Sequence, residues 1–432
     1  MKKAFLIIFF VIIGTSNTFA LTLKEALIQT YKNNTELNAE RENIKVSQKD
    51  LTISKADYLP SASITGSKSK ESTNKLTNQG GGDASVTDVD PLTATIKLEH
   101  TLVDYGRDAE FNKKKIGINL AEAKLLKKEQ DIFYKAIEAY SGLILANEKL
   151  TINQINLSLL QRQVETDKVR LERGQITVSD LAQSESSLAG ARAELIAVQN
   201  DLVTSKANFE KIIGKKPTKD ISEIKEIDLN LPESLAAAYN ISNAENPNLQ
   251  IAILEFKQAK LDVVIAGSDL SPSATLSYKV AEQDDVSATV QDRTQQTVTA
   301  KATWPLFAGG SNLFSLRKAQ ELKNQKELLL EDSKKNIEIE VANAWSNYQS
   351  SKSVLSSIET QVKAAEIANE GITLEYESGS GNRTTLEVIQ SRTILLNSRI
   401  NLASSERNLL ISQFNLLSAI GRLTAQQLNL KK

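Results

Sequence analysis

From about Ser311 to Tyr376 the chain has no proline, and its packing positions recur in two rows seven residues apart. One row runs Ile337, Ala344, Ser351, Ile358, Ala365, Ile372; the other, four residues on, runs Val341, Tyr348, Leu355, Val362, Asn369, Tyr376. Two rows of period seven offset by four are the a/d seam of a left-handed coiled coil, because under-winding keeps both rows facing a partner helix. About 65 residues at 1.5 Å each make a rod of roughly 100 Å. A weaker ribbon of the same kind, Leu126, Phe133, Tyr140 and then Leu150, Leu157, Val164, Leu171, predicts a first long helix. Elsewhere the period is two. Ala274, Leu276, Tyr278 and Val280 alternate with polar residues, as do Val298, Ala300, Ala302 and Trp304, and Ile96, Leu98, His100 and Leu102. One apolar face at period two predicts half-buried strands. The polar, Gly-, Ser- and Asp-rich stretches Lys68 to Asp90 and Glu282 to Gln296 carry no packing signal and are expected as exposed loops.

The chain is written twice. Leu181, Leu188, Leu195, Leu202 and Phe209 answer Val388, Leu395, Leu402, Leu409 and Leu416, each 207 positions on, and Ile213-Gly214 answers Ile420-Gly421. Near the starts, Glu25, Leu27 and Tyr31 answer Glu233, Leu235 and Tyr239. This is a tandem duplication. The first repeat is expected over 21–214, with strands at about 60–68 and 92–103, a long helix at about 106–173 and a return helix at about 179–214. Residues 215–232 read as a connector. The second repeat is expected over 233–421, with strands at about 272–281 and 296–306 and helices at about 311–377 and 384–421, followed by a tail at 422–432.

Composition narrows the setting. Lys2 and Lys3 precede the apolar run Ala4 to Ile13, and Thr18 and Ala20 are small residues of a processing site, so 1–20 is expected to be a secretory signal peptide. The run is short for an uncleaved anchor. No later stretch holds eighteen consecutive apolar residues, which leaves an exported soluble protein or a β-barrel. Charges nearly balance, with 52 Lys plus Arg against 53 Asp plus Glu, and nothing suggests a nucleic-acid partner. The sequence has no cysteine, which excludes disulfides and a lipid-bearing cysteine, and one histidine, so a zinc or thiol enzyme is not expected. No cofactor or catalytic constellation is apparent. The lone His100 reads as a packing residue, and Trp304, Tyr278 and Tyr105 as candidates for an aromatic girdle.

Four strands of about ten residues match the height of an outer-membrane wall but cannot close on themselves. Open edges in lipid leave backbone groups unpaired, so the chain must share a barrel with copies of itself; a dimer or a trimer satisfies the arithmetic. A monomeric antiparallel helical bundle with a β-cap is the alternative, and it gives no reason for membrane-length strands.

The chain resembles the TolC-like outer-membrane efflux and secretion channels over its whole mature length. The likeness rests on the two-fold repeat, on Trp304-Pro305-Leu306-Phe307-Ala308-Gly309-Gly310 at a strand-to-helix corner, on Arg173-Gly174 followed by Ser179-Asp180-Leu181, and on Tyr376 to Gln390. The resemblance implies an α+β membrane protein, a homotrimer whose twelve-stranded β-barrel continues into a twelve-helix α-barrel across the periplasm. It implies a passive exit duct in the outer membrane, served by a periplasmic adaptor (membrane fusion) protein and an inner-membrane ABC or proton-driven transporter, carrying secreted proteins or small toxic molecules. The rival reading is a non-conducting periplasmic coiled-coil scaffold or adaptor. By the same resemblance Ser179, Asp180, Tyr376, Arg383, Glu387 and Gln390 form a periplasmic gate, with Asp180 bonded to Tyr376, Arg383 to the Ser179 region, and Glu387 lining the constriction. Arg173, Gly174, Gly379 and Gly381 would then form the turns that meet the adaptor. The chain departs from the family pattern in the neutral Gln390, where an acidic residue is common, and in the added Ser380-Gly381.

Overall fold

The computed structural model describes residues 21–75, 85–217, 229–287, 290–378 and 383–430. The expected leader, most of the connector, and Gly379 and Gly381 lie outside these. Each half of the chain runs two short helices, a β-hairpin and two long helices. The first half holds α1 (Leu23–Asn33), α2 (Thr35–Ala56), β1 (Ser61–Lys68), β2 (Glu71–Lys75), β3 (Ser85–Val89), β4 (Leu92–Val103), α3 (Arg107–Glu172) and α4 (Val178–Ile213). The second holds α5 (Leu235–Glu245), α6 (Pro247–Ser268), β5 (Ser273–Ser287), β6 (Val290–Thr303), α7 (Ser311–Ser378) and α8 (Thr385–Ala419). Two compact units divide this material. One gathers the described N-terminal residues up to Asn38 with Lys128–Asn246 and the chain from Glu338 onward; the other gathers Ala39–Lys127 and Pro247–Ile337.

The second unit contains an antiparallel sheet in the order β1-β4-β5-β6. Its register sets Ala62 opposite Leu98, Leu98 opposite Tyr278, and Tyr278 opposite Val298, so apolar residues line up across all four strands on one face. That face is open: Ile64 is 79 % and Val298 71 % exposed, and Ile96, Leu98, Leu276 and Tyr278 are exposed as well. Along β4 Ile96 and Leu98 are more exposed than the interleaved Thr95, Lys97 and Glu99. The strands were expected to be half-buried on one face; in this single chain the edge strands β1 and β6 are exposed on both faces, and the apolar row across the sheet is uncovered. A protein surrounded by water does not leave such a face bare, since each buried apolar side chain gains about 1.5–3 kcal/mol.

The expected loops are partly strand. β2 pairs β3, and the β5–β6 ladder runs on through Glu282↔Thr294 to Asp284↔Asp292 before a register shift. In the β5–β6 extension Glu282, Gln283 and Asp284 face Thr294, Arg293 and Asp292, polar residues that carry no period-two signal, yet main-chain bonding needs none. At the other end of the sheet, Trp304 Nε1 donates to the Leu270 carbonyl (3.1 Å) and Asn312 Nδ2 to the Asp269 carbonyl (2.7 Å). Lys113–Asp262 (2.6 Å) and Lys326–Glu255 (2.7 Å) tie α6 to the starts of α3 and α7.

The first unit holds the main apolar core. Phe133, Ile137, Tyr140 and Leu143 of α3 are fully buried, together with Leu27 of α1, Phe209 of α4 and Phe414 of α8. The Tyr31–Phe133 and Tyr140–Phe209 rings lie 6.0 and 6.3 Å apart, and the Tyr140 hydroxyl donates to the Leu21 carbonyl (2.8 Å). Residues beyond α8, expected as a tail, are packed: Leu423, Ala425 and Leu430 are buried, and Arg422 forks onto both oxygens of Glu245 (2.7 and 2.9 Å). Within this unit the heptad rows of α7 are its sheltered positions. Val341, Ala344, Val362, Ala365 and Tyr376 are buried and Tyr348, Leu355, Ile358 and Asn369 half-buried. On α3 a further row, Ala146, Asn153, Leu160 and Asp167, is buried throughout. No helix among the described residues is long and apolar enough to cross a membrane.

Candidate functional site

Both helical hairpins of the first unit end in a built turn. α3 closes with Gly174 at φ +67°, its N–H donating to the Leu171 carbonyl and the next N–H, of Gln175, to Arg170 (both 2.9 Å). This is a left-handed C-terminal cap, the conformation that favours glycine. α4 then starts on a capping box. The Thr177 hydroxyl accepts from the Asp180 N–H (3.3 Å), while the Asp180 carboxylate accepts from the Thr177 N–H (2.9 Å) and hydroxyl (2.7 Å). α8 starts the same way on Thr384 and Glu387, whose carboxylate accepts from the Thr384 N–H (2.8 Å) and hydroxyl (3.1 Å). These donors hold both carboxyls below the usual carboxylate range, the backbone N–H of the cap being the largest cause in each case; Arg383 adds to the effect at Glu387.

The cap carboxylates give a pH prediction. A folded-state pKa lowered below the unfolded value means stability that is complete above about pH 4 and lost as pH falls through the lower folded value. Hydrogen exchange of the first-turn amides of α4 and α8 should therefore lose protection on acidification from about pH 5 to about pH 3, while the middle of each helix stays protected.

Two expected pairings are corrected by this geometry. Asp180 does not bond Tyr376; the Thr-x-x-Asp spacing claims it for its own helix start. Arg383 does not reach the Ser179 region: it pairs with Glu375 (2.6 Å) and, four residues on along the chain, with Glu387 (3.1 Å). Ser179, Gln390 and Arg173 are exposed near these turns.

Tyr376 is instead the centre of a buried polar cluster. Its hydroxyl donates to Asp167 Oδ1 (2.9 Å) and lies 3.0 Å from the Thr385 hydroxyl. Asp167, fully buried, also accepts from Gln163 Nε2 (2.9 Å) and from the Ser184 hydroxyl (2.6 Å). The Arg170 guanidinium lies 4.1 Å from the Tyr376 ring centroid and donates to the Tyr376 carbonyl (2.9 Å), at the C-terminal end of α7 where a cation is favoured. Burial pushes the Tyr376 phenol up, and burial likewise pulls the Arg392 guanidinium down against the opposing pull of Glu377 and Asp167. Three helices, α3, α4 and α7, thus meet at one carboxylate, and α8 joins through the contact of Thr385 with Tyr376. The sequence reading named Tyr376 but missed Asp167, Arg170, Ser184 and Thr385. One signal was available: Asp167 stands seven residues after Leu160 in a packing row, where a charged residue needs partners.

The outer-membrane efflux protein family model matches residues 26–215 and again 238–422, once in each repeat. The chain belongs to this family. It is 26 % identical over 414 residues to the outer membrane efflux protein BepC of Brucella suis, covering 95 % of this chain and 87 % of that one. It is 21 % identical over 438 residues to the outer membrane protein TolC of Vibrio cholerae, covering 99 % and 97 %. The crystal structure of the Campylobacter jejuni CmeC outer membrane channel superposes with a TM-score of 0.80 at 14 % identity, over 93 % of this chain and 86 % of that one. The fold is TolC-like, and the protein is an outer-membrane exit channel component that extends into the periplasm. An outward apolar face on the sheet is what that location requires.

Proposed function

We propose that three copies of this chain form a passive exit duct. Each copy supplies a four-stranded sheet, so that twelve strands close one barrel in outer-membrane lipid, and the long helices of the repeats 21–214 and 233–421 line a tunnel below it. A periplasmic adaptor and an inner-membrane ABC or proton-driven transporter deliver the cargo, a secreted protein or a small toxic molecule. The observation that carries this reading is the exposed apolar face in register across β1, β4, β5 and β6. Such a face belongs against lipid, and in lipid the two edge strands need partners, because each unpaired backbone group costs several kcal/mol. A soluble scaffold would not carry it.

The duct end is the pair of turns holding Asp180, Arg383 and Glu387, with Ser179 and Gln390 beside them, and the adaptor meets Arg173, Gly174, Gly379 and Gly381. Purified protein in planar bilayers should give single-channel steps with a preference for cations. Glu387→Ala should weaken that preference, since it removes one carboxylate per copy from the constriction. A folded oligomer that inserts and never conducts, even with the turns freed by substitution, would exclude the duct.

A further inference from the structure

We propose that the polar face of the four-stranded sheet is a basic track for an extended acidic polypeptide passing through the barrel. The inference rests on the exit-duct reading, which turns the apolar face to lipid and hence the opposite face to the lumen, and it adds a class of cargo. Residues paired across strands lie on one face, so the register gives the composition of that face directly. On β1 it is Ser and Thr throughout. On the other strands, up to the register shift, it carries Lys97, Lys279, Lys301 and Arg293 against a single carboxylate, Glu99. Glu282, Asp284 and Asp292 stand on the other face, continuing the apolar row beyond Val280. Charge is therefore sorted by face, and the lumen side is basic.

Lys97 and Lys279 are direct partners across the β4–β5 pair, with Cα atoms about 5 Å apart, where like charges oppose pairing. Glu99 pairs with Lys97. Among the described residues no carboxylate pairs with Lys279, Lys301 or Arg293, and all three are exposed. An anion from outside the chain offsets the repulsion that the fold leaves in place. The spacing then decides which kind of anion fits. Lys279 faces Thr297, so Arg293 stands four residues from that level toward the β5–β6 hairpin and Lys301 four residues toward α7, about 13 Å each way along the strand. The Debye length at 0.1 M salt is about 10 Å, so the three levels are screened from one another. A small anion senses one level. An extended acidic chain reaches all three and joins weak contacts into one multivalent engagement.

The test is blockade of single-channel current in planar bilayers by poly-L-glutamate of about twenty residues, long enough to span all three levels, added on the barrel side. The wild type should be blocked at a concentration about tenfold below that needed for the Lys279→Gln, Lys301→Gln double variant, and the block should weaken steeply with added salt. Monomeric glutamate at equal carboxylate concentration should block little. The double variant should also strengthen the preference for cations, the reverse of Glu387→Ala. Both lysines are exposed and Lys279→Gln relieves a like-charge pair, so assembly should be retained. If the double variant does not assemble, Arg293→Gln is measured in its place. Equal block of wild type and variant overturns the track and leaves the duct reading standing. Glutamate that blocks as well as its polymer overturns the extended occupant and the proposal with it. Absence of conductance in the wild type and in every variant overturns both readings.

Discussion

Gly421→Ala is expected to destabilise the protein by about 2–5 kcal/mol, while Gly214→Ala, at the matching position of the first repeat, costs about 1–2 kcal/mol. Both glycines follow a return helix with positive φ, +88° and +80°. Their surroundings differ. A Cβ on Gly214 would meet nothing within 4 Å, so only left-handed strain is incurred. A Cβ on Gly421 would lie 2.4 Å from the Glu245 carbonyl oxygen and 2.8 Å from the Asn246 Cα, which are backbone atoms that cannot swing aside. The same corner is pinned by the Arg422–Glu245 fork and by Asn246 Nδ2 donating to the Ala419 carbonyl (2.8 Å). The chain end must therefore withdraw from α5, uncovering Leu423 and Ala425, which are buried. Denaturant or thermal unfolding of the two variants side by side measures the difference. Equal losses would mean that the close approach at Gly421 is not maintained in solution.

Tyr376→Phe combined with Arg383→Ser is expected to raise single-channel conductance, with most of the increase coming from Tyr376→Phe. That substitution removes two contacts at once, a bond to the buried Asp167 carboxylate and one shared with Thr385. At about 1.5–3 kcal/mol for a bond to a charged group and about 1 kcal/mol for a neutral one, the closed-to-open balance moves by at least tenfold. Arg383→Ser frees Glu375 and Glu387, but all three side chains are well exposed, and exposed ion pairs contribute about 0–1 kcal/mol. Recording both single variants and the double variant at one ionic strength separates the contributions. A larger effect from Arg383→Ser alone would assign the closure to the exposed turn instead of the buried cluster.

Local periodicity made much of this molecule legible in advance. The heptad rows of α7 were readable because a residue buried once per 3.5 leaves a period that no other element produces, and those rows are the sheltered positions found here. The duplication was readable because both repeats keep their leucine spacing, and the family model matches each half separately. Polar strand extensions were not readable. The Asp284–Asp292 end of the β5–β6 ladder is held by main-chain bonds, and its side chains face water on both sides. The site divides along the same line. Tyr376, Arg383 and the two cap carboxylates were named through the family resemblance, because Ser179-Asp180-Leu181 and Tyr376 to Gln390 match the family's turn pattern. Asp167 was missed because its partners come from other helices, at Tyr376 and Ser184, and no local pattern announces them.

What the sequence by itself determined is therefore everything that depends on neighbours along the chain: the helices and their seams, the strand alternation, the caps, the turns and the two-fold repeat. Tertiary structure alone decided which of two equivalent glycines is crowded and which carboxylate Tyr376 bonds. The reason is physical. Secondary structure is set by backbone sterics and by burial at a fixed period, both written over a few residues. A carboxylate's partner is set by which helices pack together across more than two hundred positions of chain, as Asp167 and Tyr376 do here, and Asp180 was already claimed by a threonine three residues away.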